Sequence, residues 1–205
     1  MRGKLRSKYG FGRFAAVLAG VLIAAACAKP PPSKPPGESV TLAPGETRLV
    51  LTVSTLPSQA AATRYVSGDG RYVEETARWG DPGLNKASAG IVLSQAQPAP
   101  PLTDPRKPDE LVSLWPALRD KRPAFGNLVQ SRNALGPVRW RRAAIGTAAC
   151  VLFVQRWSDG DPGAPDGKPS TLSGYYCNPG GVPLAPGAAE TVVRSITLRQ
   201  GRQGQ

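Results

Sequence analysis

An α+β domain, an antiparallel sheet with one or two helices packed on it and many loops, is predicted from three features of the sequence. Ser67-Gly68-Asp69-Gly70 stands between two β-prone runs, and Asp-Gly in that setting is a strong hairpin signal. Two apolar runs, CVLFVQRW at 150–157 and LSGYYC at 172–177, each carry one cysteine and read as antiparallel neighbours. Two further segments repeat apolar residues at helical spacing near their proline-marked starts.

Taken in order, LVLTV at 49–53 is β-branched and reads as the first strand. ATRYV at 62–66 and RYVEE at 71–75 form the two arms of the Asp-Gly hairpin; EETAR at 74–78 would also tolerate a helix end. Ile91-Val92-Leu93 is strand-like inside a stretch, 80–108, rich in Gly, Pro, Ser and Asp. Pro108-Asp109-Glu110 puts proline and acids at a helix start, where the missing N–H and the helix dipole suit them. Leu111, Leu114, Trp115 and Leu118 follow at helical spacing, and Pro116 makes that helix short or kinked. From Asn127 the pattern is more regular, and VRWRR at 138–142 alternates as a strand. Residues 184–196 read as a helix with Val192, Val193 and Ile196 facing inward, and Thr197-Leu198-Arg199 closes as a last strand.

Composition narrows the function. The chain has 205 residues, 26 Lys+Arg, 14 Asp+Glu and no histidine, for a formal charge of +12. Without histidine there is no Ser-His-Asp or Cys-His nucleophile, no His-ligated zinc and no imidazole switch. No G-x-S-x-G elbow or Walker loop is present. The expectation is a non-enzymatic protein with no cofactor and no metal.

The first 26 residues read as a targeting segment. Arg2, Lys4, Arg6, Lys8 and Arg13 precede an uncharged, mostly apolar run at 14–26. That is the order of a secretory signal, and the run falls short of the ~20 residues of a transmembrane helix. Its end, Ile23-Ala24-Ala25-Ala26-Cys27, resembles the lipobox of bacterial envelope lipoproteins, with Ala24 where those families favour Leu. The resemblance implies cleavage after residue 26 and lipidation of Cys27. A plain cleaved signal and an uncleaved anchor are the competing readings. Ala28, rather than Asp, follows the cysteine, which by the same resemblance favours the outer over the inner membrane. Removing the five basic leader residues leaves 21 basic against 14 acidic residues, or +7. Such a surface favours anionic neighbours such as phosphorylated lipid headgroups or an anionic glycan, with envelope proteins as further expected partners beside the membrane reached through Cys27; nucleic acid is not expected in that compartment.

The resulting organisation is a signal peptide at 1–26, a lipidated cysteine with a proline-rich spacer at 27–45, one α+β domain at 46–200 and a polar tail at 201–205. Five prolines at 28–40 make the spacer extended and semi-rigid.

Four constellations remain to be weighed. Cys150 and Cys177, one on each arm of a predicted antiparallel pair in an exported chain, are expected to form a disulfide. The loop at 159–167 has three acids but fails the calcium-loop pattern, because Gly163 stands at the third ligand position. Asp69, Glu74 and Glu75 lie close in sequence and read as a solvated hairpin rather than a catalytic pair. Arg139-Trp140-Arg141-Arg142 is a candidate anionic-ligand patch: arginine forks grip phosphate or carboxylate, and an exposed indole stacks on a sugar. In a strand Arg139 and Arg141 share one face, while Trp140 and Arg142 share the other. The competing reading is an arginine-blunted sheet edge with Trp140 in the core.

The order Val129-Gln130-Ser131-Arg132, Leu135-Gly136-Pro137, Cys150, Gln155-Arg156 and Cys177 resembles accessory proteins of bacterial cellulose biosynthesis over residues 129–177. That resemblance implies a part in polysaccharide synthesis or export and transfers no site residue.

Overall fold

A computed structural model describes residues 36–199, apart from 44, 82, 97–106, 120 and 159–168. The strands are β1 (Gly37–Thr41), β2 (Leu49–Leu51), β3 (Gln59–Ser67), β4 (Tyr72–Trp79) and β5 (Ser88–Ala96), then β6 (Pro123–Asn133), β7 (Gly136–Ile145), β8 (Ala148–Trp157), β9 (Ser170–Cys177) and β10 (Ile196–Leu198). A 3₁₀ turn at Pro108–Glu110 runs into helix α1 (Leu111–Leu114), and helix α2 is Pro186–Arg194.

Eight strands form one antiparallel sheet in the order β1-β3-β4-β5-β9-β8-β7-β6, and β2 pairs with β10 in a small second sheet. Two meanders, β3-β4-β5 and β6-β7-β8-β9, meet where β5 pairs with β9. The architecture is therefore sheet-dominated, with two short helices.

Strand alternation assigns the two faces of the sheet. Ala77, Trp79, Ile91, Leu93, Trp140, Phe153, Leu172 and Tyr176 pack with Val192 and Val193 of α2 and with Leu49 and Leu51 of β2. Leu152, Val154, Tyr175 and the two strand cysteines pack on the opposite face with Leu111, Trp115 and Leu118. A helix thus lies on each face. Trp115 fits there because Gly90 has no side chain: a Cβ at Gly90 would stand 2.5 Å from the indole Cζ3.

Local chemistry explains the element ends. Pro186 occupies the first turn of α2, where its missing N–H costs nothing. Helix α1 stops at Leu114, because the following proline disfavours helical geometry at Trp115, which is extended at φ −97° and ψ 121°.

Several boundaries differ from expectation. The sheet begins at Gly37, inside the segment assigned to the spacer, because residues 37–41 pair with β3 from Gly37↔Ser67 to Thr41↔Thr63. All five β1 residues are exposed, so no alternation announces the strand. Ile196 is buried as foreseen, but it starts β10 rather than continuing α2. The alternative of a helix end at 74–78 gives way to β4. The strand at 71–75 in fact runs from Tyr72 to Trp79, and that at 91–93 from Ser88 to Ala96.

Candidate functional site

Cys27 and the acid-rich loop at 159–167 lie outside the described residues. Cys150 and Cys177 are directly opposite in the β8–β9 ladder and are joined by a disulfide, with Cα atoms 4.0 Å apart. Both are buried in the core beneath α1.

The four residues of the basic strand are divided between the faces, as alternation requires. Trp140 is 3% exposed, and its Nε1 donates to Ser131 Oγ at 2.9 Å. It belongs to the α2-side core and offers no ring to a sugar. Arg142, on the same face, donates from Nη1 to the Leu184 carbonyl at 3.2 Å. Arg141, on the α1 face, is held three ways. Its Nη1 lies 2.8 Å from Asp109 Oδ2, its Nε and Nη2 both donate to the Gly126 carbonyl, and its guanidinium covers the Phe125 ring at 4.8 Å. Strand β7 is not a sheet edge, because β6 lies outside it. The four residues therefore do not form one patch.

Arg139 instead joins residues that the basic tetrad does not include. Register places Gln130 opposite Arg139, Arg139 opposite Val154, and Arg132 opposite Pro137. Arg156 projects from the same face as Val154 and Arg139 by strand alternation. Gln130, Ser131, Pro137, Val138, Arg139, Val154 and Arg156 line a cavity of about 260 Å³, and Arg132 is not among its lining residues. Arg132 and Arg156 are exposed, and Val154 is buried at its floor. The sequence held the signal for this grouping: Arg132 and Arg156 fall at one parity with Arg139 once the two hairpins are registered.

A second polar cluster lies under the small sheet. Glu75 has no exposed surface. Its Oε1 lies 2.8 Å from Arg48 Nε and 2.9 Å from Arg64 Nη2, and its Oε2 accepts from the Arg48 N–H at 3.0 Å. Arg48 Nη2 donates on to Gln95 Oε1, and Gln95 Nε2 donates to Ser170 Oγ. Burial is the largest influence on the Glu75 carboxyl and raises its pKa. The Arg48 backbone N–H, the Arg48 charge and hydrogen bonds from Arg48 and Arg64 together outweigh it, so the net shift is downward from 4.5. The hairpin is thus not solvated at Glu75. Arg64 is its direct cross-strand partner, which counting outward from the Asp-Gly turn would have placed.

The other two acids go elsewhere. Glu74 lies on the opposite face and accepts from the Tyr72 hydroxyl at 2.6 Å. Asp69 stays in the turn; the Ser67 hydroxyl and then the Arg71 backbone N–H lower its pKa. The three carboxylates do not converge on one site. Among the described residues, no group of three or more His, Cys, Asp or Glu comes together as metal ligands.

Comparison with protein-family models, with curated proteins and with solved structures finds no match to this chain.

Proposed function

We propose that this chain is a lipid-anchored, non-enzymatic lipoprotein of the bacterial cell envelope, serving as a binding or assembly module. The observation that carries the reading is the leader: five basic residues, an apolar run, and Ala24-Ala25-Ala26 before Cys27. A multi-chain lipid on that cysteine anchors strongly, since each buried methylene contributes roughly 0.8 kcal/mol. The disulfide supports an oxidising compartment, where such bonds persist. The ion-paired state of Glu75 supports a structural rather than a catalytic role for the most buried carboxylate.

Metabolic labelling with an alkyne fatty acid tests the anchor. The parent chain incorporates label and partitions with membranes; Cys27→Ser loses both. Equal labelling of the two chains defeats the proposal.

A further inference from the structure

We propose that strand β6 is a dimerisation edge: residues 128–132 pair antiparallel with the same residues of a second copy of this chain, the two Gln130 facing each other on the symmetry axis. This names a partner for the assembly module above, but it stands on sheet geometry and not on the anchor.

The first support is an open edge. β6 ends the sheet order, and among the described residues its backbone-to-backbone hydrogen bonds are those of the ladder with β7. The outer N–H and C=O groups of an edge strand are a template for another strand, and proteins blunt such edges by shortness, charge or proline. β1, the other edge, is five residues long and carries Glu38. β6 is 11 residues long, has proline only at its first position and holds one charge, Arg132. Phe125, Leu128 and Val129 are exposed along it. A register shift between Phe125 and Leu128 disturbs its first half, where Arg141 takes the Gly126 carbonyl. From Leu128 to Asn133 the register with β7 is regular.

Symmetry and charge select the partner and the register. A single cation gives an acidic strand little to grip. Antiparallel self-pairing asks for no complementary charge and closes at two copies. Directly opposite residues point to one face of a sheet, so in a symmetric antiparallel pair one residue must face its own copy. With Ser131 on the axis, Arg132 would be diagonal to its own copy at about 7–8 Å, where like charges repel. With Gln130 on the axis, Arg132 stands opposite Leu128, and the two Arg132 are about 14 Å apart along the strands. That exceeds the screening length of about 8 Å at physiological salt. The Arg132 stem then covers Leu128, Val129 meets Ser131, and each Gln130 amide can donate to and accept from the other.

Area sets the strength. A strand of 11 residues is about 37 Å long, and an edge about 10 Å deep buries less than ~800 Å² over both copies. Stable complexes bury ~1,200 Å² or more, so the dimer is a weak, reversible one.

Sedimentation equilibrium of the full-length Cys27→Ser chain in a nonionic detergent tests the edge without the lipid. Between about 1 μM and 1 mM it should show a monomer–dimer equilibrium with Kd above about 10 μM. Val129→Lys should raise Kd by about tenfold or more, because lysine on an edge opposes strand addition. Val40→Lys, on β1, should change Kd less than about twofold, and both variants should melt like the parent because both positions are exposed. Cysteine substitution reads the register. Facing residues have Cα atoms about 5 Å apart, so Gln130→Cys should be oxidised to a disulfide-linked dimer about tenfold faster than Leu128→Cys, which lies about 14 Å from its copy. A monomer at every concentration, association that Val129→Lys leaves unchanged, or equally fast cross-linking of the two cysteine variants overturns the proposal. Equal weakening by Val40→Lys also overturns it and marks head-to-tail pairing of β1 with β6. Because the anchor is absent throughout, failure here leaves the lipoprotein proposal standing, and failed labelling leaves this edge standing.

Discussion

Arg48 and Glu75 clamp the small sheet to the large one: Arg48 Nε lies 2.8 Å from Glu75 Oε1, while the Arg48 N–H, one residue before β2, donates to Oε2. Just beyond β10, the Arg199 N–H donates to the Arg48 carbonyl at 2.7 Å. One carboxylate on β4 therefore fixes the entry to β2 and, through it, the end of β10.

Glu75→Gln should destabilise the domain by about 3 kcal/mol at neutral pH, the lower end of the range for removing one partner of a buried pair. The lower end applies because the Arg64 side chain is 39% exposed and partly screened. The folded pKa lies below 4.5. The ionised carboxylate's contribution is therefore complete above 4.5 and is lost as pH falls through the folded value. Urea melts should show a parent–variant gap that is widest near neutrality and narrows in acid. A gap constant across that range would mean that ionisation contributes nothing.

Gly90→Ala should cost about 1–3 kcal/mol by overpacking. The new methyl would meet Trp115 Cζ3 at 2.5 Å, Cη2 at 2.7 Å and Tyr175 Cε1 at 2.8 Å. Trp115 lies edge-on to Tyr175, with centroids 5.1 Å apart, so the indole cannot retreat without giving up that contact. A double-mutant cycle with Trp115→Phe reads the coupling. The smaller ring should absorb part of the penalty, whereas strict additivity would show that Trp115 is not the obstacle.

The disulfide spans 27 residues of sequence, and replacing both cysteines with alanine should lower stability by roughly 3–4 kcal/mol in the chain-entropy description. Both half-cystines are at most 1% exposed. Dithiothreitol should therefore open the bond only when denaturant is present, as read by alkylation and mass spectrometry. Rapid alkylation of Cys150 and Cys177 in the native protein would contradict this burial.

What was legible in the sequence tracks burial. Strands β8 and β9 are buried along almost their whole length because both faces are covered, and their pairing and disulfide follow from pattern and cysteine position. The Asp-Gly hairpin came from turn chemistry. Strands β1 and β6 did not announce themselves: they are the two edges of the large sheet, mostly exposed on both faces, so no period of two is imposed on them. The candidate site shows the same limit. Alternation alone separated Trp140 from Arg139 and Arg141. Gathering Arg132 and Arg156 around Arg139 required β6 to be placed and both ladders registered, which are long-range facts.

Arg141 separates the two readings of the basic strand. Sequence treats Arg139 and Arg141 as equivalent surface cations, and removing both should then leave stability nearly unchanged. The structure makes them unlike. Arg141 donates twice to the Gly126 carbonyl, at 3.0 and 2.6 Å, and Gly126 lies at the register shift where β6 departs from regular pairing with β7. A carbonyl at such an irregularity loses its ladder partner, and a charged donor supplies a replacement worth roughly 1.5–3 kcal/mol. The Asp109 pair adds less, about 1 kcal/mol at most, because Asp109 is 39% exposed. Arg141→Gln should therefore destabilise by about 2 kcal/mol, and Arg132→Gln, at an exposed edge position, by less than about 0.5. Asp109→Asn alone should recover only a small part of the Arg141 effect in a double-mutant cycle. Amide exchange in β6 should accelerate in Arg141→Gln around Phe125 to Leu128, where the carbonyl is released, and stay slow near Asn133, whose side chain is held by Gln155. Equal stability of Arg141→Gln and Arg132→Gln would return Arg141 to the status of a surface charge.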